Sequence, residues 1–127
     1  MLNMDEKKVK ILVVDDLEIV CEHLKCYFGR RGYAVFTTGS AEEALPIIKK
    51  ENPDIILLDI NLPKMSGIEL LKLVRQFNKT IKVIMVSGYD MDFKNDARLQ
   101  ELDIFEFMHK PVGLAELEAA IKKAIGR

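Results

Sequence analysis

Five polar residues stand where apolar runs end. Asp15 and Asp16 follow residues 11–14, Asp59 follows 55–58, Ser87 follows 81–86, and Lys110 lies two residues beyond 104–108. If these runs are parallel strands of one sheet, their endings share the carboxyl edge, where open α/β sheets bind ligands. Three carboxylates, a hydroxyl and an ammonium would then converge. Carboxylates packed together repel unless some protonate or a cation intervenes. Magnesium suits such a group, since it takes oxygen ligands and uses only one or two carboxylates with several waters. Asp16 and Asp59 can bind it directly and Asp15 through water, and a backbone carbonyl just beyond Asp59, best that of Asn61, can add a ligand.

A carboxylate can also act as a nucleophile and form an aspartyl phosphate. Phosphoryl transfer needs mainly alignment and charge neutralisation, which a cation on one side of Asp59 and Lys110 on the other would supply. Ser87 would donate to a phosphoryl oxygen, and Gly88 beside it leaves room for the donor. Each residue has a plainer reading. The Asp15-Asp16 pair serves equally well as a cap for the next helix, Asp59 as a loop carboxylate, Ser87 as a strand-end turn residue and Lys110 as a solvated lysine. The combination at four strand ends is what carries the signal.

The elements that must position these residues alternate along the chain. Residues 18–31 place Val20, Leu24, Tyr27 and the stem of Arg31 on one helical side, and Gly32 can close that helix in a left-handed conformation. A short strand at 34–38 precedes Ser40 and Glu43, a capping-box pair that opens a helix over 41–51. Pro46 inside it predicts a kink or a shortened first turn. Asn52-Pro53 stops that helix. Ser66 and Glu69 repeat the capping-box pattern before a helix with Ile68, Leu71 and Val74 inward. Residues 90–100 carry few apolar positions and read as a weakly anchored helix. Leu114, Leu117, Ile121 and Ile125 mark the last one. Near-continuous apolar strands require cover on both faces. The expected fold is therefore α/β, a five-stranded parallel doubly wound sheet with five helices on both faces. Its order 2-1-3-4-5 is taken from the known flavodoxin-like class and not deduced from the residues.

Composition bounds the function classes. The chain has 127 residues, 49% hydrophobic and 31% charged, which fits one globular domain spanning 1–127. A formal net charge of −1 gives no reason to expect nucleic acid or an anionic membrane as partner. No apolar stretch approaches the roughly 18 residues of a membrane span, and the first residues lack the apolar segment of a secretory signal. Cys21 and Cys26 are five apart on one helix and do not face each other, so they read as reduced thiols of a cytoplasmic protein. His23 and His109 have no partner at metal-ligand spacing.

The residues Val13-Val14-Asp15-Asp16, Leu57-Leu58-Asp59, Leu62-Pro63-Lys64-Met65-Ser66-Gly67, Val86-Ser87-Gly88 and Lys110-Pro111, in this order and spacing, make a highly specific set. The chain resembles a receiver domain of the two-component response-regulator family, over about residues 10–125. The resemblance implies that Asp59 accepts a phosphoryl group from a sensor histidine kinase or histidine phosphotransfer protein. It implies Mg2+ on Asp15, Asp16, Asp59 and the Asn61 carbonyl, and contacts from Lys110 and Ser87 to the phosphoryl group. It also implies a switch in which Ser87 and an aromatic residue, here Phe107, move together. The surface of the fourth helix, fifth strand and fifth helix then meets a downstream output protein or domain. It leaves homodimerisation on phosphorylation open. The Lys110-Pro111 bond is typically cis in the family. Asp103-Ile104 stands where relatives often carry Gly-Ala. Asn61 and Tyr89 occupy positions that influence hydrolytic water, and a bulky Tyr89 would slow loss of the phosphoryl group.

Other readings of the architecture lack their residues. A flavin carrier would need a hydroxyl- and glycine-rich loop where Asp15-Asp16-Leu17-Glu18 stands, and a dinucleotide enzyme a Gly-x-Gly-x-x-Gly run. An aspartate-nucleophile phosphatase would need a second aspartate where Asn61 is, so the chain is not read as an enzyme beyond its own phosphorylation and dephosphorylation. Two alternatives stay open: a receiver fold that binds partners without phosphorylation, and an N-terminal receiver from a longer DNA-binding regulator.

Overall fold

Strand and helix alternate from one end to the other of the computed structural model, which describes residues 8–88 and 97–127. The order is β1 (Lys10–Val14), α1 (Glu18–Arg30), β2 (Ala34–Thr38), α2 (Ala41–Glu51), β3 (Ile55–Asp59), α3 (Gly67–Phe77), β4 (Lys82–Ser87), α4 (Ala97–Gln100), β5 (Glu106–His109) and α5 (Leu114–Ala124). All pairings are parallel, and the strands lie in the order β2-β1-β3-β4-β5. The expected sheet is thus present. The fourth helix is described only over α4. The rest of the stretch expected from residue 90, and Tyr89, lie outside the described residues.

The period-2 alternation of the strands sorts the core into two layers. Leu12, Val14, Ile56, Leu58, Val83 and Met85 face α2, α3 and α4. Ile11, Val13, Ile55, Leu57 and Ile84 face α1 and α5. Asp15, Asp59 and Ser87 are therefore held by β1, β3 and β4, which are largely dry on both faces. Fully burying one such aliphatic side chain is worth about 1.5–3 kcal/mol, so the sheet edge is a rigid platform.

Helix α1 differs from its expected face. Its buried residues are Cys21 and Phe28, whereas Val20, Leu24 and Tyr27 sit at the margin and Arg31 is exposed. Tyr27 carries a hydroxyl that donates to Glu118 at 3.0 Å, and the Arg31 guanidinium stacks 3.9 Å from its ring centroid. A side chain with such polar partners stays at the boundary, and Phe28 takes the interior. The end of α1 follows the expected glycine. Gly32 has φ +91°, its N–H donates to the Gly29 carbonyl, and the Tyr33 N–H donates to Phe28. The Tyr33 and Phe28 rings then meet edge-on at 5.7 Å, which completes a Schellman close.

The capping predictions hold in part. Ser40 and Ser66 accept from the N–H groups of Glu43 and Glu69, each at 3.2 Å. The Glu43 carboxylate, however, accepts from the Thr38 hydroxyl at 2.9 Å. Helix α2 runs through Pro46 from Ala41 to Glu51, so its first turn is not shortened. Asp103 takes a left-handed φ of 52°, which an aspartate tolerates. The turn it makes is gripped by Arg75 of α3, whose guanidinium donates to the carbonyls of Leu102, Asp103 and Asn78 at 2.8, 3.0 and 3.3 Å.

Candidate functional site

The carboxyl edge of the sheet brings the singled-out residues together. Asp59 is the last residue of β3 and Ser87 the last of β4. Asp15 directly follows β1, and Lys110 directly follows β5. Asp15 and Asp59 are both 5% exposed and Ser87 is fully buried, whereas Asp16 is exposed. Oxygen atoms of Asp15, Asp16 and Asp59 lie within 4.8 Å of one another.

Helix capping does not explain the aspartate pair. The N-cap of α1 is Leu17, and no side chain caps it. Asp15 Oδ1 instead accepts from the Leu17 N–H at 2.9 Å, which fixes its carboxylate over the strand end. Asp59 is fixed the same way, its Oδ1 accepting from the Asn61 N–H at 3.0 Å. Each carboxylate turns its other oxygen to Lys110, whose Nζ stands 3.1 Å from Asp15 Oδ2 and 3.0 Å from Asp59 Oδ2. Burial alone would lower the Lys110 pKa. The hydrogen bonds and charges of Asp59 and Asp15 outweigh it and hold the ammonium above the ordinary lysine range. The main chain adds a further tie, since the Lys110 N–H donates to the Ser87 carbonyl at 2.8 Å. The Lys110-Pro111 peptide is cis, as the resemblance led us to expect.

The loop after β3 is drawn in tightly. The Gly67 N–H donates to the Ile60 carbonyl at 3.0 Å, and a Cβ on Gly67 would collide with the Asp59 carbonyl. The start of α3 can therefore approach the acidic residue only because position 67 is glycine. Phe107 on β5 is half-buried and packs against the α2–α3 side of the core, opposite Met85 of β4 in register. His109 and His23 are exposed. His23 lines a groove of about 780 Å³ between α1 and α5, whose upper end reaches Asp15, Asp59 and Lys110.

Two residues with a part in this geometry were read from sequence as ordinary. Thr38 ends β2 and its carbonyl accepts the Asp15 N–H at 3.1 Å. Cys21 places its sulfur 3.3 Å from the Asp15 carbonyl. The β2 apolar run ending at Thr38 was a usable signal for the first. The second had none, because a cysteine on an apolar helical face is ordinary core.

Three buried or edge carboxylates with converging oxygens are a hard-donor set that fits a small divalent cation better than a soft one. The ammonium beside them offers a second positive charge to an anionic group arriving at Asp59. Comparisons with known proteins point the same way. The family model described as the response regulator receiver domain matches residues 11–122. The alkaline phosphatase synthesis transcriptional regulatory protein PhoP of Bacillus subtilis is 39% identical over 93% of this chain, which spans 49% of that protein's length. Sporulation initiation phosphotransferase F of the same organism is 36% identical over 90% of this chain and 91% of its own. The crystal structure of a response regulator receiver domain protein (CheY-like) from Methanospirillum hungatei superposes with a TM-score of 0.88 at 31% identity. It covers 94% of this chain and 95% of that one.

Proposed function

The chain belongs to the response regulator receiver domain family, and from that premise we propose that it is a phosphorylation-driven switch with Asp59 as its phosphoacceptor. The observation that carries this reading is Lys110, held within 3.1 Å of both Asp15 and Asp59 at the end of a buried sheet. Its ammonium stands where negative charge collects when a phosphoryl group arrives.

Asp15, Asp16 and Asp59 would hold Mg2+, with the Asn61 carbonyl as a further ligand. Bound there, the ion supplies charge neutralisation to the transferring oxygens. Asp59 attacks phosphorus with a carboxylate oxygen while the phosphorus–nitrogen bond of a phosphohistidine donor breaks. The nitrogen keeps the bonding electrons and takes a proton. Lys110 exchanges part of its contact with Asp59 for a phosphoryl oxygen, and the Ser87 hydroxyl donates to another. The displacement of Ser87 toward the phosphate would let Phe107 turn inward and reshape the surface around α4, β5 and α5.

The partners follow from this chemistry: a histidine kinase or phosphotransfer protein upstream, and an output protein or domain downstream. The chain spans about half the length of the first relative above, so output through an attached domain belongs to the same proposal. So do a single domain over residues 1–127, a cytoplasmic setting and dimerisation on phosphorylation. Among the described residues no helix is long and apolar enough to cross a membrane. The chain works as a switch, and the chemistry at Asp59 is limited to its own phosphorylation and dephosphorylation.

Intact-mass measurement after incubation with acetyl phosphate, with and without Mg2+, tests the reading. One phosphoryl adduct that needs Mg2+ and is missing from Asp59→Asn is the expected result. An unmodified mass, together with no Mg2+ binding, would instead indicate a phosphorylation-independent binding module.

A further inference from the structure

Asp15 is gripped through its main chain from two sides. Its N–H donates to the Thr38 carbonyl at 3.1 Å, and its carbonyl accepts from the Cys21 thiol at 3.3 Å. The same sulfur lies 3.9 Å from the Thr38 carbonyl, so one thiol sits under the last turn of two neighbouring strands. Cys21 is 6% exposed and Asp15 5%.

A buried carbonyl needs a donor, and the helix does not provide one here. The first backbone bonds of α1 run from Val20 and Cys21 to the Leu17 carbonyl, which leaves the Asp15 carbonyl outside the helical ladder. That carbonyl belongs to the peptide joining Asp15 to Asp16. Its orientation sets ψ of the first aspartate and φ of the second, and hence where both carboxylates point.

We infer that Cys21 is a positioning residue for the metal site: its thiol fixes the Asp15–Asp16 peptide so that the two carboxylates converge with Asp59. The inference rests on the Mg2+ reading of those three residues. The residue type suits the place. Cysteine packs as a small apolar side chain among Phe28, Ile121 and their neighbours and still offers one weak donor.

The test is calorimetric titration with Mg2+ alone on the full chain and on Cys21→Val, Cys21→Ala and Cys21→Ser, with Cys26→Ala as the control at an exposed cysteine of the same helix. Urea unfolding without Mg2+ runs in parallel. Valine keeps the apolar fill and removes the donor, and alanine serves if valine does not fold. Losing a single hydrogen bond should weaken Mg2+ binding about three- to tenfold in both. Serine should hold within about twofold of the parent, because it restores the donor. The control should bind as the parent does. If Cys21→Val and Cys21→Ala lose stability yet bind Mg2+ like the parent, Cys21 is only a packing residue and the inference is overturned. It is also overturned if serine binds as weakly as alanine. A parent chain that binds no Mg2+ would bring down the metal reading itself, and this inference with it.

Discussion

Lys110 reaches from the end of β5 past the edge of β4 to Asp59 at the end of β3, closing to 3.0 Å. The two strands are not neighbours, since β4 lies between them. The contact is therefore made above Ser87, whose carbonyl also receives the Lys110 N–H. Acceptor, hydroxyl and ammonium are thus consecutive along one edge.

This ion pair has a defined alkaline limit. The Lys110 pKa is raised in the folded chain, so the stability it contributes is fully present below the unfolded lysine value of about 10.4 and is lost as pH climbs through the higher folded value. Urea unfolding of the parent and of Lys110→Met should differ by a constant amount from about pH 7 to pH 10 and converge only above that. Convergence near neutrality would show that the ammonium is not held by the two carboxylates.

Mg2+ should stabilise the fold through Asp16 in particular. Asp15 and Asp59 already have Lys110 beside them, whereas the exposed Asp16 joins the cluster with no partner cation among the described residues. At about a hundredfold excess over its Kd, Mg2+ should add about 2.7 kcal/mol to the parent. In Asp16→Asn most of that gain should vanish while stability without Mg2+ changes little. Thermal unfolding at rising Mg2+ measures both.

Gly67→Ala puts a methyl group against the Asp59 carbonyl and the Ile60 Cα. Backbone cannot swing aside as a side-chain tip can, so the start of α3 or the end of β3 must shift. The expected cost is about 1–3 kcal/mol, read from the urea midpoint. Phosphorylation by acetyl phosphate should slow as well, because the displaced backbone carries the acceptor.

Arg75→Met removes the donors that hold the Leu102 and Asp103 carbonyls at the turn before β5 and the Asn78 carbonyl at the end of α3. Leaving those groups underpartnered should cost about 1–3 kcal/mol. Hydrogen exchange should quicken around residues 102–105, while amides at the ends of β1 and β3 keep their protection.

Much of this molecule was legible in its residues, for a physical reason. Strands buried on both faces are written as unbroken apolar runs, so the polar residue that ends each run stands out. Asp15 and Asp59 stand out on that basis, whereas Lys82 and Glu106 interrupt the runs before Ser87 and Lys110, which were legible only in combination with them. The buried side of α1 was not. Val20, Leu24 and Tyr27 share helical spacing, but Cys21, Leu24 and Phe28 share it too, and only the Tyr27–Glu118 bond, made across 91 residues, decides between them. Glu43 follows the local spacing in one half only: its N–H donates to Ser40, while its carboxylate accepts from the Thr38 hydroxyl five residues back.

The separation of 95 positions between Asp15 and Lys110 has an implication for dissected forms of this chain. Asp15 and Asp16 lie on one side, and Lys110 on the other, of any break made between β2 and β5. Neither piece owns the cluster, so cation uptake by a mixture of the two pieces would report their reassembly into one sheet. Metal titration thus doubles as a fragment-complementation assay, with the edge of the sheet as its built-in reporter.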